Sequence, residues 1–360
     1  MRILLVSHPP LSAELGAAQV ALNLAEALQA RGHDAQAWSP EPMPPGTNGW
    51  NLWLRQTGKI ERFAESQGPF DVIDVPALSA SARLAGHGLV VVRSTQPELR
   101  YLYLDIRNDL AHHLSPRAFA NAAWGVPRAA AIVGGWRRAG RILCQGSLEL
   151  AWMRRRFPGW TGKLGLWVCA LSPRDREALA AVRDSRRSRE RDAGIRFLWI
   201  GRWSSQKGTS RLLRWIGERM AAHPLDSCTI AGCGPAAERS VPSEWLRSGR
   251  VRIVSAFSRS ELPALLAEHD AGLFTSDVEG WGLSLNEMLE SGLTVYATPA
   301  GGVADLQPFW GGRLRPFPPP PDLPEEGPEP DLAGYLSYFS WPEIARRYEE
   351  EILAARPHGG

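Results

Sequence analysis

The sequence predicts an α/β protein made of two halves, each a parallel sheet flanked by helices. Three observations carry that reading. Short continuous apolar runs alternate along the chain with segments of helical periodicity. A length of 360 residues exceeds what a single hydrophobic core ordinarily organises. One polar, charged stretch near the middle, SPRDREALAAVRDSRRSRERDAG at residues 172–194, interrupts the alternation.

The elements follow in order. RILLV at residues 2–6 is an apolar run of the kind found in strands buried on both faces. After the loop SHPPLSAELG, Val20, Leu24 and Leu28 recur at helical spacing, and Arg31-Gly32-His33 supplies a glycine stop. Residues 34–38 begin a second strand, and strand, helix and strand in succession imply parallel pairing. A helix over 60–67, strands at 71–75, 89–93 and 141–144, a helix over 147–156 and a strand at 164–168 complete the first half. The second half places strands at 197–200, 228–231, 251–253, 271–274 and 294–297, with helices over 209–220, 261–268 and 283–290. A proline-rich loop, RPFPPPPDLPEEGPEP, precedes a final helix over 342–353. The expected organisation is therefore a domain at 1–172, a linker at 173–194, a domain at 195–340 and a closing helix at 341–356.

Composition narrows the class. Hydrophobic residues make up 44% and charged residues 22%, as in soluble globular chains and unlike disordered ones. A net charge of +3 does not suggest a nucleic-acid binder. The charge is uneven, however: residues 1–175 hold 19 basic and 13 acidic side chains, the remainder 22 and 25. Four cysteines without CxxC spacing argue against a disulfide framework or a zinc site. The opening MRILLVSHPP lacks a secretory signal pattern. The most membrane-like stretch, 118–136, is broken by Asn121, Pro127 and Arg128, so a cytoplasmic protein is expected. The segment WRRAGRILCQGSLELAWMRRRFPGW reads either as an amphipathic basic face for anionic lipid or an acidic acceptor, or as a solvated helix.

Four segments carry chemistry. In DVEGWGLSLNEMLESG, residues 277–292, Gly280 and Gly282 flank Trp281 in a turn between a strand and a helix starting near Leu283. Such a turn aims backbone N–H groups at an anion, phosphate above all. Glu279 and Glu287 on either side suit sugar hydroxyls, since carboxylates repel phosphate; the alternative is a dipole-complementing Glu279 and a surface Glu287. In GRWSSQKG, residues 201–208, Arg202 and Lys207 share a strand-to-helix loop and could clamp a diphosphate. Lys207 is one of only three lysines, which weighs against two incidental cations. AGCGP, residues 231–235, is a glycine turn that lacks the third glycine of a dinucleotide fingerprint. Gly16 opens a helix and would let backbone approach a phosphate. His8, ending the first strand, is a weaker candidate.

In this order the segments resemble glycosyltransferase family 4, the group 1 type of retaining transferases with the GT-B fold. GRWSSQKG is similar to that family's GR…KG element, AGCGP to its GxGP turn and EGWGLSLNE to its E-x7-E signature. FSWPEIARRYEEEI resembles its closing helix. The resemblance implies two Rossmann-like domains facing a cleft, with the last helix returning to the first domain. It implies a nucleotide-sugar donor, UDP- or GDP-linked, a sugar-containing acceptor, and no cofactor or metal; the chain has no DxD triplet. Arg202 and Lys207 would bind the donor diphosphate beside Gly201, and Glu287 the ribose. Glu279, with the amides of Gly280, Trp281, Gly282 and Leu283, would hold the donor sugar. Gly16 and Gly234 would approach the donor, and the base would rest near Phe257. Where relatives carry a histidine after a first-domain strand, Thr95 stands here, so Thr95 or Glu98 is expected in its place. That departure keeps a non-catalytic sugar-nucleotide binder open beside the transferase, as well as a sugar-nucleotide epimerase. The missing fingerprint disfavours a dehydrogenase.

Overall fold

The computed structural model describes residues 1–12, 14–44, 47, 52–112, 115–186, 194–323 and 327–355, the side chains at 112 and 117 excepted. The chain divides into two compact units, Met1–Ala170 with Ser337–Gly360, and Leu171–Leu336.

The first unit holds β1 (Arg2–Val6), α1 (Gly16–Ala30), β2 (Asp34–Trp38), α2 (Leu52–Gln67), β3 (Val72–Val75), β4 (Leu89–Arg93), α3 (Glu98–His112), α4 (Pro116–Arg138), β5 (Arg141–Gln145), α5 (Ser147–Arg156) and β6 (Leu164–Trp167). Its six strands are parallel in the order β2-β1-β3-β4-β5-β6. The continuous apolar runs are explained by burial on both faces: Ile3, Leu4, Leu5 and Val6 are all in the core.

The second unit holds α6 (Pro173–Arg186), β7 (Arg196–Ile200), α7 (Thr209–Ala222), β8 (Ser227–Ala231), α8 (Ser243–Arg247), β9 (Val251–Val254), α9 (Leu262–Ala267), β10 (Ala271–Phe274), α10 (Leu283–Glu290), β11 (Thr294–Ala297), α11 (Val303–Trp310) and β12 (Leu314–Pro316). Its strands are also parallel, in the order β12-β11-β10-β7-β8-β9. A further helix, α12 (Leu332–Tyr338), spans the point where the chain returns to the first unit.

The closing helix, α13 (Trp341–Ala355), packs on α1, β5 and β6 of the first unit. Its anchor is polar. Tyr348 OH donates to Asp74 Oδ2 at 2.9 Å, and Arg93 Nε reaches both Asp74 oxygens at 3.0 and 3.2 Å. The Arg93 guanidinium lies over the Trp167 ring, which meets the Tyr348 ring edge-on. Burial pushes the Asp74 carboxyl up, and Arg93 and Tyr348 oppose it. Ion pairs Arg31–Glu349 and Arg141–Glu351 flank this anchor.

The structure places three stretches that the sequence singled out. The stretch taken as a linker begins with helix α6, which belongs to the second unit and packs on α9 and α10; residues 187–193 of that stretch lie outside the described residues. Its charge conceals its burial. Leu179 and Val182 are in the core, while Arg183 and Arg186 donate to carbonyls that end α9 and α10: Glu290, Ser291, His269 and Leu266. Second, the membrane-like stretch is most of α4, and no helix of the described residues is long and apolar enough to cross a membrane. Its small residues serve close approach: a Cβ on Gly135 would overlap the Ala77 carbonyl, and one on Gly125 would overlap Ile106. Third, the basic segment from Trp136 to Trp160 is not one amphipathic face. It comprises the end of α4, the buried strand β5, helix α5 and a short turn.

Removing Asp74 strands a buried guanidinium, whereas removing the Tyr348 hydroxyl leaves the ion pair. Asp74→Ala is expected to destabilise the first unit by about 3–5 kcal/mol and Tyr348→Phe by about 1–3 kcal/mol. Urea unfolding of the two variants checks this; equal losses would contradict it.

Candidate functional site at the strand ends of the second sheet

The loop from β7 into α7 carries Gly201, Arg202 and Lys207. Gly201 N donates to Ala231 O at 3.0 Å and Trp203 N to Cys233 O at 3.3 Å, so the loop leans on the end of β8. Beyond β10, Thr275 Oγ1 donates to Lys207 O at 2.7 Å and accepts Trp199 Nε1 at 3.0 Å. The Thr275 carbonyl accepts Arg211 Nη1 at 2.8 Å. Arg211 also pairs with Asp277 at 2.6 Å, whose N–H donates to Gln206 O at 2.8 Å. Gly208, at φ +67°, lets the loop pass: a Cβ there would overlap the Thr275 carbonyl. The loops bearing Lys207 and Glu279 are thus locked together. The Lys207 ammonium pairs with the Glu279 carboxylate, which also accepts Ser276 Oγ at 3.2 Å. Arg202 is exposed and has no ion-pair partner among the described residues.

The turn from β10 into α10 has Gly282 as its helix cap, at φ +87°, where a Cβ would overlap the Phe274 ring. No side chain caps α10, so the N–H groups of Leu283 and Ser284 are left for a ligand or solvent. Gly280 is buried, and so is the Trp281 side chain, whose indole N–H donates to Asn286 Oδ1 at 2.8 Å. The Trp281 carbonyl accepts Gly302 N at 2.9 Å, which ties this turn to the loop after β11. In the turn after β8, Gly234 faces open space at φ +66°, and the half-buried Phe257 lies beside Gly232.

Glu287, on α10, is only 4% exposed and pairs with Arg259. Arg259 also reaches Asp175 Oδ2 at 2.9 Å. Burial raises the Glu287 carboxyl above the ordinary range and Asp175 adds to this; Arg259, and more weakly Lys207, oppose it. One turn on, Glu290 accepts Tyr335 OH at 2.6 Å and pairs with Arg176 at 3.3 Å. Arg259, Asp175, Thr275 and Arg211 belong to this site and were not singled out from sequence. No motif marks the first, third and fourth, and Asp175 falls in the stretch taken as a linker. Among the described residues, no group of three His, Cys, Asp or Glu is arranged to hold a metal ion.

The remaining candidates lie in the first unit. Gly16 is exposed at the start of α1, which has no side-chain cap. Thr95 is exposed in the loop after β4. Glu98 is not available beside it: its carboxyl turns inward and accepts the backbone N–H groups of Ala77 and Leu78. Burial and the nearby Glu149 push Glu98 up to about 8. Glu149, accepting Gln145 N at 2.6 Å and Ser94 Oγ at 2.9 Å, is raised by burial to about 7. His8 Nε2 lies 2.8 Å from Ser79 Oγ, and burial lowers its imidazole to about 4, so it is neutral near pH 7. A cavity of about 450 Å³ between β6 and α13 contains none of the predicted residues.

Comparison with known proteins adds the following. Residues 194–309 match the family of glycosyl transferases group 1. An uncharacterized glycosyltransferase of Bacillus subtilis, YqgM, is 26% identical over 129 residues, which is 35% of this chain and 36% of the relative. The alignments span less than half the length of the curated relatives. Among solved structures, sucrose-phosphate synthase from Thermosynechococcus elongatus superposes with a TM-score of 0.65 at 16% identity, covering 98% of this chain and 94% of that one. Anabaena HepE in complex with UDP-glucose superposes with a TM-score of 0.53 at 15% identity, covering 99% and 97%. These likenesses establish the fold, the two-domain α/β architecture of GT-B glycosyltransferases.

Two outcomes follow from the geometry. Gly208→Ala is expected to destabilise the second unit more than Gly234→Ala, which bears only the backbone cost of about 1–2 kcal/mol; thermal melts would show the order. Glu98 and Glu149 hold protons more tightly folded than unfolded, so their contribution is present below the ordinary carboxylate range and is lost as pH rises through about 7 and 8. Glu98→Gln should flatten the loss of melting temperature across that window; an unchanged slope would contradict it.

Proposed function

We propose that this chain is a retaining, metal-independent glycosyltransferase that moves a sugar from a nucleotide-sugar donor to a sugar-containing acceptor. The observation that carries the reading is the convergence of Lys207, Glu279 and the uncapped start of α10 on loops locked through Thr275, with Arg202 exposed on the loop that bears Lys207. The group 1 match over residues 194–309 covers this whole constellation. The UDP-glucose complex of Anabaena HepE, of like fold, supports a UDP-linked donor.

Breaking the bond between the sugar and the nucleoside diphosphate builds negative charge on the departing phosphate. Arg202, Lys207 and the amides at the start of α10 would stabilise that charge more in the transition state than in the ground state. Glu279, beside Lys207, would receive hydroxyls of the donor sugar, together with the backbone of Gly280, Trp281, Gly282 and Leu283. Glu287 would receive the ribose hydroxyls, Gly201 and Gly234 would line the nucleotide, and Phe257 would lie near the base. Gly16 and Thr95 are assigned to the first unit's share of donor and acceptor. A second reading, a binder without turnover, is favoured by one observation: the exposed residue after β4 is Thr95, and Glu98 is turned inward.

Calorimetry tests the reading. Lys207→Ala or Arg202→Ala should weaken binding of UDP or GDP by more than about tenfold, or about 1.4 kcal/mol. Glu287→Ala should weaken the nucleotide more than inorganic pyrophosphate. Unchanged affinity in the first pair, or equal losses in the second comparison, would sink the assignment. Release of nucleoside diphosphate from a panel of sugar nucleotides separates transferase from binder.

A further inference from the structure

Glu287 has two oxygens and one charged neighbour in direct contact. Oε1 is taken by Arg259, while Oε2 has no protein partner among the described residues. Arg259 is itself held from the other side by Asp175, whose carboxylate accepts Ser172 Oγ at 2.8 Å at the start of α6. Three elements thus meet on one guanidinium: α10, the loop from β9 into α9, and α6.

We propose that Arg259 is a positioning residue for the nucleotide: it clamps one oxygen of Glu287 so that the other is fixed to accept the ribose hydroxyls. This rests on Glu287 being the ribose contact. A planar fork bridging two carboxylates fixes orientation as well as charge, which a flexible ammonium does not. Without that bridge Glu287 would be a buried carboxyl facing Asp175, with only the more distant Lys207 in opposition. Burial and Asp175 would then raise its carboxyl further, at the expense of the anionic form that ribose hydroxyls bond best.

The test titrates UDP, GDP, ADP and inorganic pyrophosphate into wild type, Arg259→Gln, Arg259→Lys, Glu287→Gln and the double variant Arg259→Gln/Glu287→Gln, from about pH 6 to pH 9. Wild type should show a flat profile for the nucleoside diphosphate relative to pyrophosphate. Arg259→Gln should lose about tenfold or more for the nucleotide at the acid end, recover part of it as pH rises, and keep its pyrophosphate affinity. Arg259→Lys should bind the nucleotide more weakly with a flat profile. A pH-independent loss in Arg259→Gln, or wild-type affinity in Arg259→Lys, overturns the positioning role. If Glu287→Gln binds the nucleotide as wild type does, the ribose contact fails and the proposal falls with it. If Glu287→Gln loses affinity while Arg259→Gln does not, only the positioning role fails. Thermal melts give a readout without ligand. Arg259→Gln should lose stability relative to wild type as pH rises, because a buried Glu287 must then ionise, and the double variant should not. A pH-independent difference overturns the inference.

Discussion

The hydroxyl of Thr275 is the point on which the second unit's strand-end surface depends. It donates to the Lys207 carbonyl and accepts the Trp199 indole, so one side chain joins the ends of β7 and β10 to the loop between β7 and α7. The neighbouring backbone completes the lock, with the Thr275 carbonyl held by Arg211 and the Gln206 carbonyl taken by Asp277 N–H. This matters because Lys207 and Glu279 are 72 positions apart in sequence, and their ion pair requires both loops to hold still. Groups that stabilise charge in a reaction are effective when they need not reorganise. Gly208 is part of the same constraint, since only a residue without Cβ lets the chain run so close to Thr275.

The second constraint is burial of charge in α10. From Leu285 to Glu290 every residue of this helix is buried, two glutamates included. Carboxylates so placed are costly unless paired, and each has its own arginine, Arg176 for Glu290 and Arg259 for Glu287. Asp175 and Arg176, consecutive on α6, serve the two in opposite ways. Arg176 meets Glu290 directly, while Asp175 holds the Arg259 that meets Glu287. Glu290 accepts Tyr335 OH on the same oxygen, Oε1, that Arg176 approaches, and Glu287 accepts Arg259 on its own Oε1. The two glutamates on one helix therefore have different ties: Glu290 holds the helix to α6 and α12, and Glu287 holds it to the loop between β9 and α9.

Much of this was legible from sequence, and what was missed has a common cause. Strands buried on both faces write themselves as uninterrupted apolar runs, so β1, β4 and β10 were plain. Glycine turns at strand ends were plain too, because GRWSSQKG and EGWG combine a conformational requirement with charged neighbours. Helix α6 was legible only as a linker with some helical character, because its arginines donate to carbonyls of neighbouring helices, and such residues look like a solvated linker in composition. Arg259 was hidden for a related reason: its importance lies in a partner 28 positions away and another on α6. The polar anchor of α13 is of the same type, joining Tyr348 to Asp74 across 274 positions. Pairings of isolated charged residues over such distances leave no periodicity to read.

The charge surplus of residues 1–175 also changes meaning once its arginines are located. Several are spent internally: Arg93 on Asp74, Arg31 on Glu349 and Arg141 on Glu351. At the strand ends of the first sheet the picture reverses. His8 is neutral, and the inward carboxyls of Glu98 and Glu149 lie beneath the loop that bears Thr95. Burial raises both carboxyls, Glu98 to about 8 and Glu149 to about 7, so both are more protonated near pH 7 than ordinary glutamates. Part of the first unit's basic composition is thus neutralised within the unit, and the surplus by itself does not argue for an acidic acceptor. The second sheet presents Arg202, Lys207 and the amide dipoles at the start of α10 at its strand ends, an environment that suits an anion rather than a neutral group.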